Sequence, residues 1–308
     1  MAKTREIKKR IKAVGNIRRI TKTMQMIATS KFARAQAAAT ATKPYTEGLF
    51  ELVTELAVNG GGEVTHPLIT GPDRQAAGAK DVTLVLTSDR GLCGPYNGSV
   101  LRKAMGHFRA SPEARAGLIE LVGKKGIAFL KYNKMVVTAT HQFGDKPQYE
   151  KIEKLAQRYI DRFTAGEITS VRVIYMKFLS AGRQAPEILQ LLPLKPSASG
   201  SVAINPAEQP ANQAEAAVAA RKGVSYEFSP AAPELLGDLL PAVIKATLFQ
   251  VFNDAVVSEH VARMIAMKAA TDNAGKMRKL FTRDYNRARQ AAITTELGEI
   301  IAGAAALG

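Results

Sequence analysis

The residues most able to do chemistry form one short run. Thr87 to Asn97 reads TSDRGLCGPYN: a strand end, a glycine-rich loop and the start of a helix. That is the layout of a phosphate-binding turn. The glycine spacing argues against it, because GLCG is not GxGxxG and the 308-residue chain holds no GxxxxGK[ST]. A structural turn is the stronger reading, and Gly123-Lys124-Lys125-Gly126 is weaker still as a phosphate site. Cys93 is the single cysteine, which excludes an internal disulfide and a multi-cysteine zinc site. No histidine is placed to activate it, so a buried structural thiol fits better than a nucleophile. His66, His107, His141 and His260 lack ligand-like spacing, and neither a catalytic metal nor a cofactor is expected. The last candidate is Arg289-Gln290 in YNRARQAAIT, at the head of an alanine-rich tail with few charges. Such a helix end fits a narrow apolar hole with the guanidinium on a carboxylate at its mouth; an exposed helix charge is the equal alternative.

The charge balance points to an acidic partner. Lys+Arg number 43 against 27 Asp+Glu, a net charge of +16. Residues 1–43 hold twelve basic side chains and one acid, Glu6, for a local +11. Lys8, Lys9, Arg10, Lys12, Arg18 and Arg19 crowd one short stretch of this run. A second run, Lys276, Arg278, Lys279, Arg283, Arg287 and Arg289, joins the first into one patch if the chain ends meet. Composition leaves two partners open, a nucleic acid and an acidic protein surface. The N-terminus is charged and has no apolar run, so no secretory signal is expected. The longest apolar stretch, Leu235 to Val257, is broken by Asp238, Pro241, Lys245 and Asp254, so no membrane span is expected.

The elements that position these residues follow from periodicity. Ile7, Ile11, Val14, Ile17, Ile20, Met24 and Ile27 recur in steps of three and four, a narrow apolar stripe on one helix. The pattern resumes beyond Pro44 at Leu49, Leu52, Val53 and Leu56, and Asn59-Gly60-Gly61-Gly62 ends it. About 55 residues at ~1.5 Å each make a helix of roughly 80 Å. A second helical pattern runs from Pro241 to the end, through Ile244, Leu248, Val251, Val261, Met264, Ile293, Leu297 and Ile300. Some 70 residues give a length near 100 Å. Two long helices with narrow stripes bury them most simply against each other, as an antiparallel coiled coil. Between them strands alternate with helices: strands at 82–87, 118–122, 136–143, 171–179 and 188–194, helices at 98–110, 124–133 and 149–163. The fold class is thus α/β plus a long antiparallel coiled coil, with a central Rossmann-like α/β domain. The expected parts are residues 1–60, the N-terminal helix; 75–195, the α/β domain; 196–232, a Pro/Ala/Ser/Gln-rich mobile loop or insertion; and 233–308, the C-terminal helix.

Three stretches resemble the gamma subunits of F-type (rotary) ATP synthases. They are IKKRIKAVGNIRRITKTMQMIATSKFARAQ (Ile7 to Gln36), TSDRGLCGPYN (Thr87 to Asn97), and SEHVARMIAMKAATDNA (Ser258 to Ala274) continued by YNRARQAAITTELGEIIAGAAAL (Tyr285 to Leu307). They stand in family order and spacing, and the match covers essentially the whole chain. The resemblance implies a shaft without bond chemistry that rotates inside a ring of three alpha and three beta subunits. Its α/β foot rests on the c-subunit ring and on epsilon, so that proton flow is coupled to ATP synthesis or hydrolysis. It implies no specific nucleic acid, an indirect membrane association through the c ring, and a place on the cytoplasmic face of the bacterial inner membrane. The residues matching Arg289 and Gln290 meet the acidic lever loop of beta, with Met24 close by and Thr294 and Glu299 in the same coupling region. Ile293, Leu297, Ile300 and Ile301 form an apolar bearing tip, and the basic run from Lys8 to Arg19 coats the shaft.

This chain departs from the family in three ways. Pro95 stands where a glycine is usual, and the 196–222 stretch is longer than in many relatives. The cysteine pair of chloroplast relatives is missing, so thiol control is not expected. The alternatives outside the family are a basic coiled-coil nucleic-acid-binding protein and a nucleotide-using α/β enzyme.

Overall fold

The computed structural model describes residues 2–59, 66–71, 78–194 and 232–305. All of the expected loop 196–232 except its final residue lies outside the described residues, as do Gly60 to Gly62. The elements in chain order are α1 (Ala2–Asn59), α2 (Pro67–Thr70), β1 (Lys80–Leu86), α3 (Tyr96–Ala110), α4 (Pro112–Ala116), β2 (Leu118–Val122), α5 (Lys124–Tyr132), β3 (Ala139–His141), α6 (Tyr149–Thr164), β4 (Ile168–Ser180), β5 (Arg183–Leu192) and α7 (Ala232–Ala305). Two compact units result. One is residues 32–260; the other joins 1–31 to 261–308.

The larger unit is built on a five-stranded sheet in the order β3-β2-β1-β4-β5. β1 pairs in parallel with β2 and β4, β2 pairs in parallel with β3, and β4 turns back into β5 as an antiparallel hairpin. β1 is central and covered on both faces, which is why its sequence is a continuous apolar run rather than an alternating one. Its Val82, Leu84 and Leu86 join one core with Ile152, Tyr159 and Phe163 of α6, Leu49, Phe50 and Val53 of α1, and Leu240, Ile244, Leu248 and Phe252 of α7. The opposite face of the sheet is covered by α3 to α5, whose Val100, Phe108 and Leu130 are buried. α1 continues through Pro44 and α7 through Pro241, each proline removing one backbone donor from its helix without ending it. By length and composition alone α7 contains an 18-residue window apolar enough to cross a bilayer, with mean hydropathy 1.5; half of that window is buried in the protein.

In the smaller unit α1 and α7 form an antiparallel pair. Thr21 and Thr271 hydrogen-bond to each other at 2.8 Å. A side chain at Gly275 would sit 3.6 Å from Arg18 Nε, so rising numbers on one helix meet falling numbers on the other. The buried and half-buried positions of α1 in this unit include Thr4, Ile7, Ile11, Val14, Thr21, Gln25 and Ala28, with Met24 half-buried at the margin, and those of α7 include Met264, Met267, Thr271, Ala274, Phe281, Tyr285, Ala288 and Ala292. Both rows keep the 3.5-residue repeat that holds a seam against a partner.

This seam differs from the stripe expected from sequence. Ile17, Ile20 and Ile27 are 51%, 57% and 53% exposed. Consecutive steps of three fall 60° short of a full turn each time, so the isoleucine row drifts off the interface after Val14. Small and polar side chains take its place, which lets the helices approach closely.

Candidate coupling surface

The glycine-rich turn is closed by its own hydrogen bonds. Thr87 Oγ1 donates to the Val122 carbonyl at 2.7 Å and accepts from Gly126 N–H at 3.1 Å. Ser88 N–H donates to Asn97 Oδ1 at 3.0 Å, and Asn97 Nδ2 lies 2.7 Å from Ser88 Oγ and 3.2 Å from Cys93 Sγ. Lys124 N–H is taken by Asp89 Oδ1 at 3.2 Å. Gly123 has φ +87°, and any side chain there would run into the Thr87 carbonyl. Gly123 therefore serves the close approach of the β2 end to the β1 end. Ligands of open α/β sheets bind beyond the carboxyl ends of the strands. Here that space is filled by Phe252 and Ala255 of α7 and leaves a cavity of about 40 Å³, well below the hundreds of Å³ that small-molecule sites occupy. No group of three or more His, Cys, Asp or Glu among the described residues is placed to hold a metal.

The buried charges of the sheet are also internally matched. Glu120 on β2 accepts from Tyr159 Oη at 2.7 Å and lies 2.7 Å from His141 Nε2. Burial pushes its carboxyl up, but those bonds and the nearby Arg158 outweigh burial and hold it below the usual range. Asp81 behaves likewise: burial raises it, and Thr169, Ser170 and Arg172 together bring it down. Such fully partnered groups fix the sheet.

The smaller unit carries the residues singled out in the sequence. Lys8, Lys9, Arg10, Lys12, Arg18 and Arg19 are all exposed. Arg10 pairs with Glu6 at 2.6 Å and Arg19 donates to Asn16 at 2.8 Å. The two basic runs do meet: Lys12, Arg18, Arg19 and Lys22 of α1 line an open groove of about 510 Å³ with Arg278 of α7 and the backbone of Gly15. Lys22 was not singled out by sequence, since its place in the groove depends on the register of the helix pair.

Arg289, Gln290 and Glu299 are exposed, and the exposed Thr294 hydroxyl donates to the Gln290 carbonyl at 3.0 Å. Arg289 heads a line of exposed apolar residues at helical spacing: Ile293 (55%), Leu297 (56%), Ile300 (68%) and Ile301 (59%). Met24 is half-buried and does not join this group. With Thr21 opposite Thr271, Met24 stands level with residues near 268, about 30 Å along the helix from Arg289 at ~1.5 Å per residue.

The chain thus pairs two long helices, α1 and α7, as a coiled coil, with an α/β domain between them in sequence. Solved structures agree at the level of fold. A chain of the Euglena gracilis mitochondrial ATP synthase (OSCP/F1/c-ring) matches with TM-score 0.62 at 15% identity, covering 99% of this chain and 95% of its own. A chain of the Tetrahymena thermophila mitochondrial ATP synthase central stalk/c-ring matches with TM-score 0.56 at 18% identity, covering 82% and 99%.

The chain belongs to the ATP synthase gamma family. The family model described as ATP synthase matches residues 3–307. The ATP synthase gamma chain of Rhodopirellula baltica is 40% identical, covering 100% of this chain and 99% of the relative. That of Leptospira biflexa is 38% identical over the full length of both. The nucleic-acid reading of the basic helix finds no support among these relatives.

Proposed function

We infer that the chain is the central-stalk rotor shaft of a rotary ATP synthase, turning within a ring of three alpha and three beta subunits. The observation that carries this is the end of α7. Past Ala292, the last half-buried seam position, four large apolar side chains continue in line with more than half of each exposed. A contiguous apolar stripe on a solvated helix calls for an apolar wall. From Ile293 to Leu307 the only charges are Glu296 and Glu299, so such a wall would grip weakly by electrostatics and let the helix turn.

Arg289, one helical turn before Ile293, is the point of stronger grip. Its guanidinium meets a carboxylate of beta in charge-assisted hydrogen bonds that form and break with rotation. Gln290, Thr294 and Glu299 belong to the same surface, and Met24 acts at a separate height. The α/β unit is the foot, contacting the c-subunit ring and epsilon. Membrane association is indirect, through the c ring, and places the complex on the cytoplasmic face of the bacterial inner membrane. The chain transmits rotation between the ion-driven c ring and the alpha/beta catalytic sites and performs no bond chemistry itself.

The test is Arg289→Ala in the assembled enzyme, in inverted membrane vesicles. A desolvated charge pair broken on one side costs about 2–5 kcal/mol. ATP-driven proton pumping per ATP hydrolysed is expected to fall, while the amount of assembled complex stays the same. Unchanged pumping would remove Arg289 from the coupling surface.

A further inference from the structure

A second cavity lies in the larger unit, away from the residues of the coupling surface. It holds about 480 Å³ between residues 36–50 of α1, the β4–β5 hairpin and residues 247–254 of α7. Its walls are mainly apolar, with Phe50, Phe178, Leu189 and Val251 among them. The size is that of a site for a small organic molecule.

The charges around it come from every element that forms it. α1 supplies Lys43 and Glu47, β4 supplies Lys177 together with the Tyr175 phenol, β5 supplies Glu187, and α7 supplies Asp254. Lys177 is neutralised by Glu187 at 3.1 Å, and Lys43 pairs with Glu47 at 3.5 Å. Asp254 is left over: its one hydrogen-bond donor among the described residues is the neutral Gln250 amide, at 3.0 Å. Two helical turns before it, Thr247 also lines the cavity; it is 3% exposed and its buried hydroxyl has no partner among the described residues. A half-buried carboxylate in an apolar cavity, whose neighbouring lysines already pair with glutamates, is a costly feature that a cation relieves.

We propose that this cavity binds a small organic monocation, a protonated amine on an apolar or aromatic body, with the ammonium on Asp254. The charge count decides the class. An anion would face an unpaired carboxylate, a dication would exceed it, and a neutral molecule would leave it bare. Burial raises the Asp254 carboxyl to about 6, so the anion that the ligand needs is present at neutral pH and lost in mild acid.

The test uses the full-length chain and tryptamine. The chain contains no tryptophan, so indole emission on excitation near 295 nm comes from the probe alone, and its anisotropy reports binding. Tryptophol, the same body with a neutral hydroxyl, is the control. Tryptamine is expected to bind saturably at pH 7.5 and at least ten-fold more tightly than tryptophol. Asp254→Asn, which keeps the side-chain shape and the Gln250 bond, should weaken tryptamine at least ten-fold and leave tryptophol unchanged. In the unmodified chain, affinity should fall about ten-fold from pH 7.5 to 5, the drop in the ionised fraction of a group at about 6. This pH series needs no variant, so the proposal stays testable if Asp254→Asn misfolds. Equal binding of the two probes, absence of tryptamine binding up to about 5 mM, or a flat pH series would overturn it.

Discussion

Asp254 also makes a sharp statement about stability. Its carboxyl stands at about 6 in the folded chain against 3.8 for an ordinary aspartate. Desolvation is the main cause, and the Gln250 hydrogen bond, Lys177 and Lys43 offset it only in part. The folded chain therefore holds this proton more tightly than the unfolded chain does. The group's contribution is fully present below about pH 3.8 and is lost as pH rises through about 6. A gap of about 2.2 units at 1.36 kcal/mol each makes the ionised side chain a cost of about 3 kcal/mol at pH 7.5. Asp254→Asn removes that cost and retains the acceptor for Gln250. The variant should be more stable by up to about 3 kcal/mol at pH 7.5, with the advantage shrinking through the window from 6 down to 3.8. Urea unfolding followed by the near-ultraviolet signal of tyrosine is the assay, because all but one of the eight tyrosines lie within residues 32–260. An Asp254→Asn chain no more stable than the parent at pH 7.5, or one whose advantage persists unchanged near pH 4, would refute the reasoning.

Other expectations follow from the same geometry. Tyr159→Phe takes one donor from the buried Glu120 and should cost about 1–2 kcal/mol at neutral pH. Because Glu120 is held below its usual range, its contribution is present above the unfolded value of 4.5 and fades as pH falls through the folded value, so the variant and parent should converge in acid melts. Gly275→Ala would place its methyl 3.6 Å from Arg18 Nε, an ordinary contact. It should stabilise the long helix by up to about 1 kcal/mol through helix propensity, seen as a higher midpoint in thermal melts at 222 nm; a lower midpoint would mean that the seam is already filled there. Leu297→Gln should leave the stability of the isolated chain within about 0.5 kcal/mol, since the side chain is 56% exposed; a larger loss by chemical denaturation would mean the tip packs within this chain.

Periodicity made the long helices and most strands legible. β1 reads as a strand because it is buried on both faces, and α6 because its apolar residues repeat on one side. The short helices α2 and α4 were missed: four and five residues opened by Pro67 and Pro112 are too few to show a period. β5 begins at Arg183, five residues before the apolar run that betrayed it, because an edge strand tolerates the exposed Arg183 and a Glu187 that is paired with Lys177.

The helix seam was read correctly at Ile7, Ile11 and Val14 and then drifted off it at Ile17, Ile20 and Ile27. Large isoleucines outweigh Thr21, Gln25 and Ala28 in any hydrophobicity pattern, whereas close approach of two helices favours the small residues. Ile17, Ile20 and Ile27 remain outside. The meeting of the two basic runs was legible as a conditional; the groove around Arg278 depends on the antiparallel register. The cavity at Asp254 was beyond reach, because it joins residues of α1, β4, β5 and α7 separated by up to about two hundred positions, and an aspartate in a helical stretch looks like any solvated charge.

The shaft role is tested most directly by assembling the cognate alpha and beta subunits with and without this chain and following ATP hydrolysis over many turnovers. A stable complex whose sustained turnover depends on the chain, with a hydrolysis rate lowered by removing residues 293–308, is the expected result. Alpha and beta subunits that neither bind the chain nor change their turnover in its presence would contradict it.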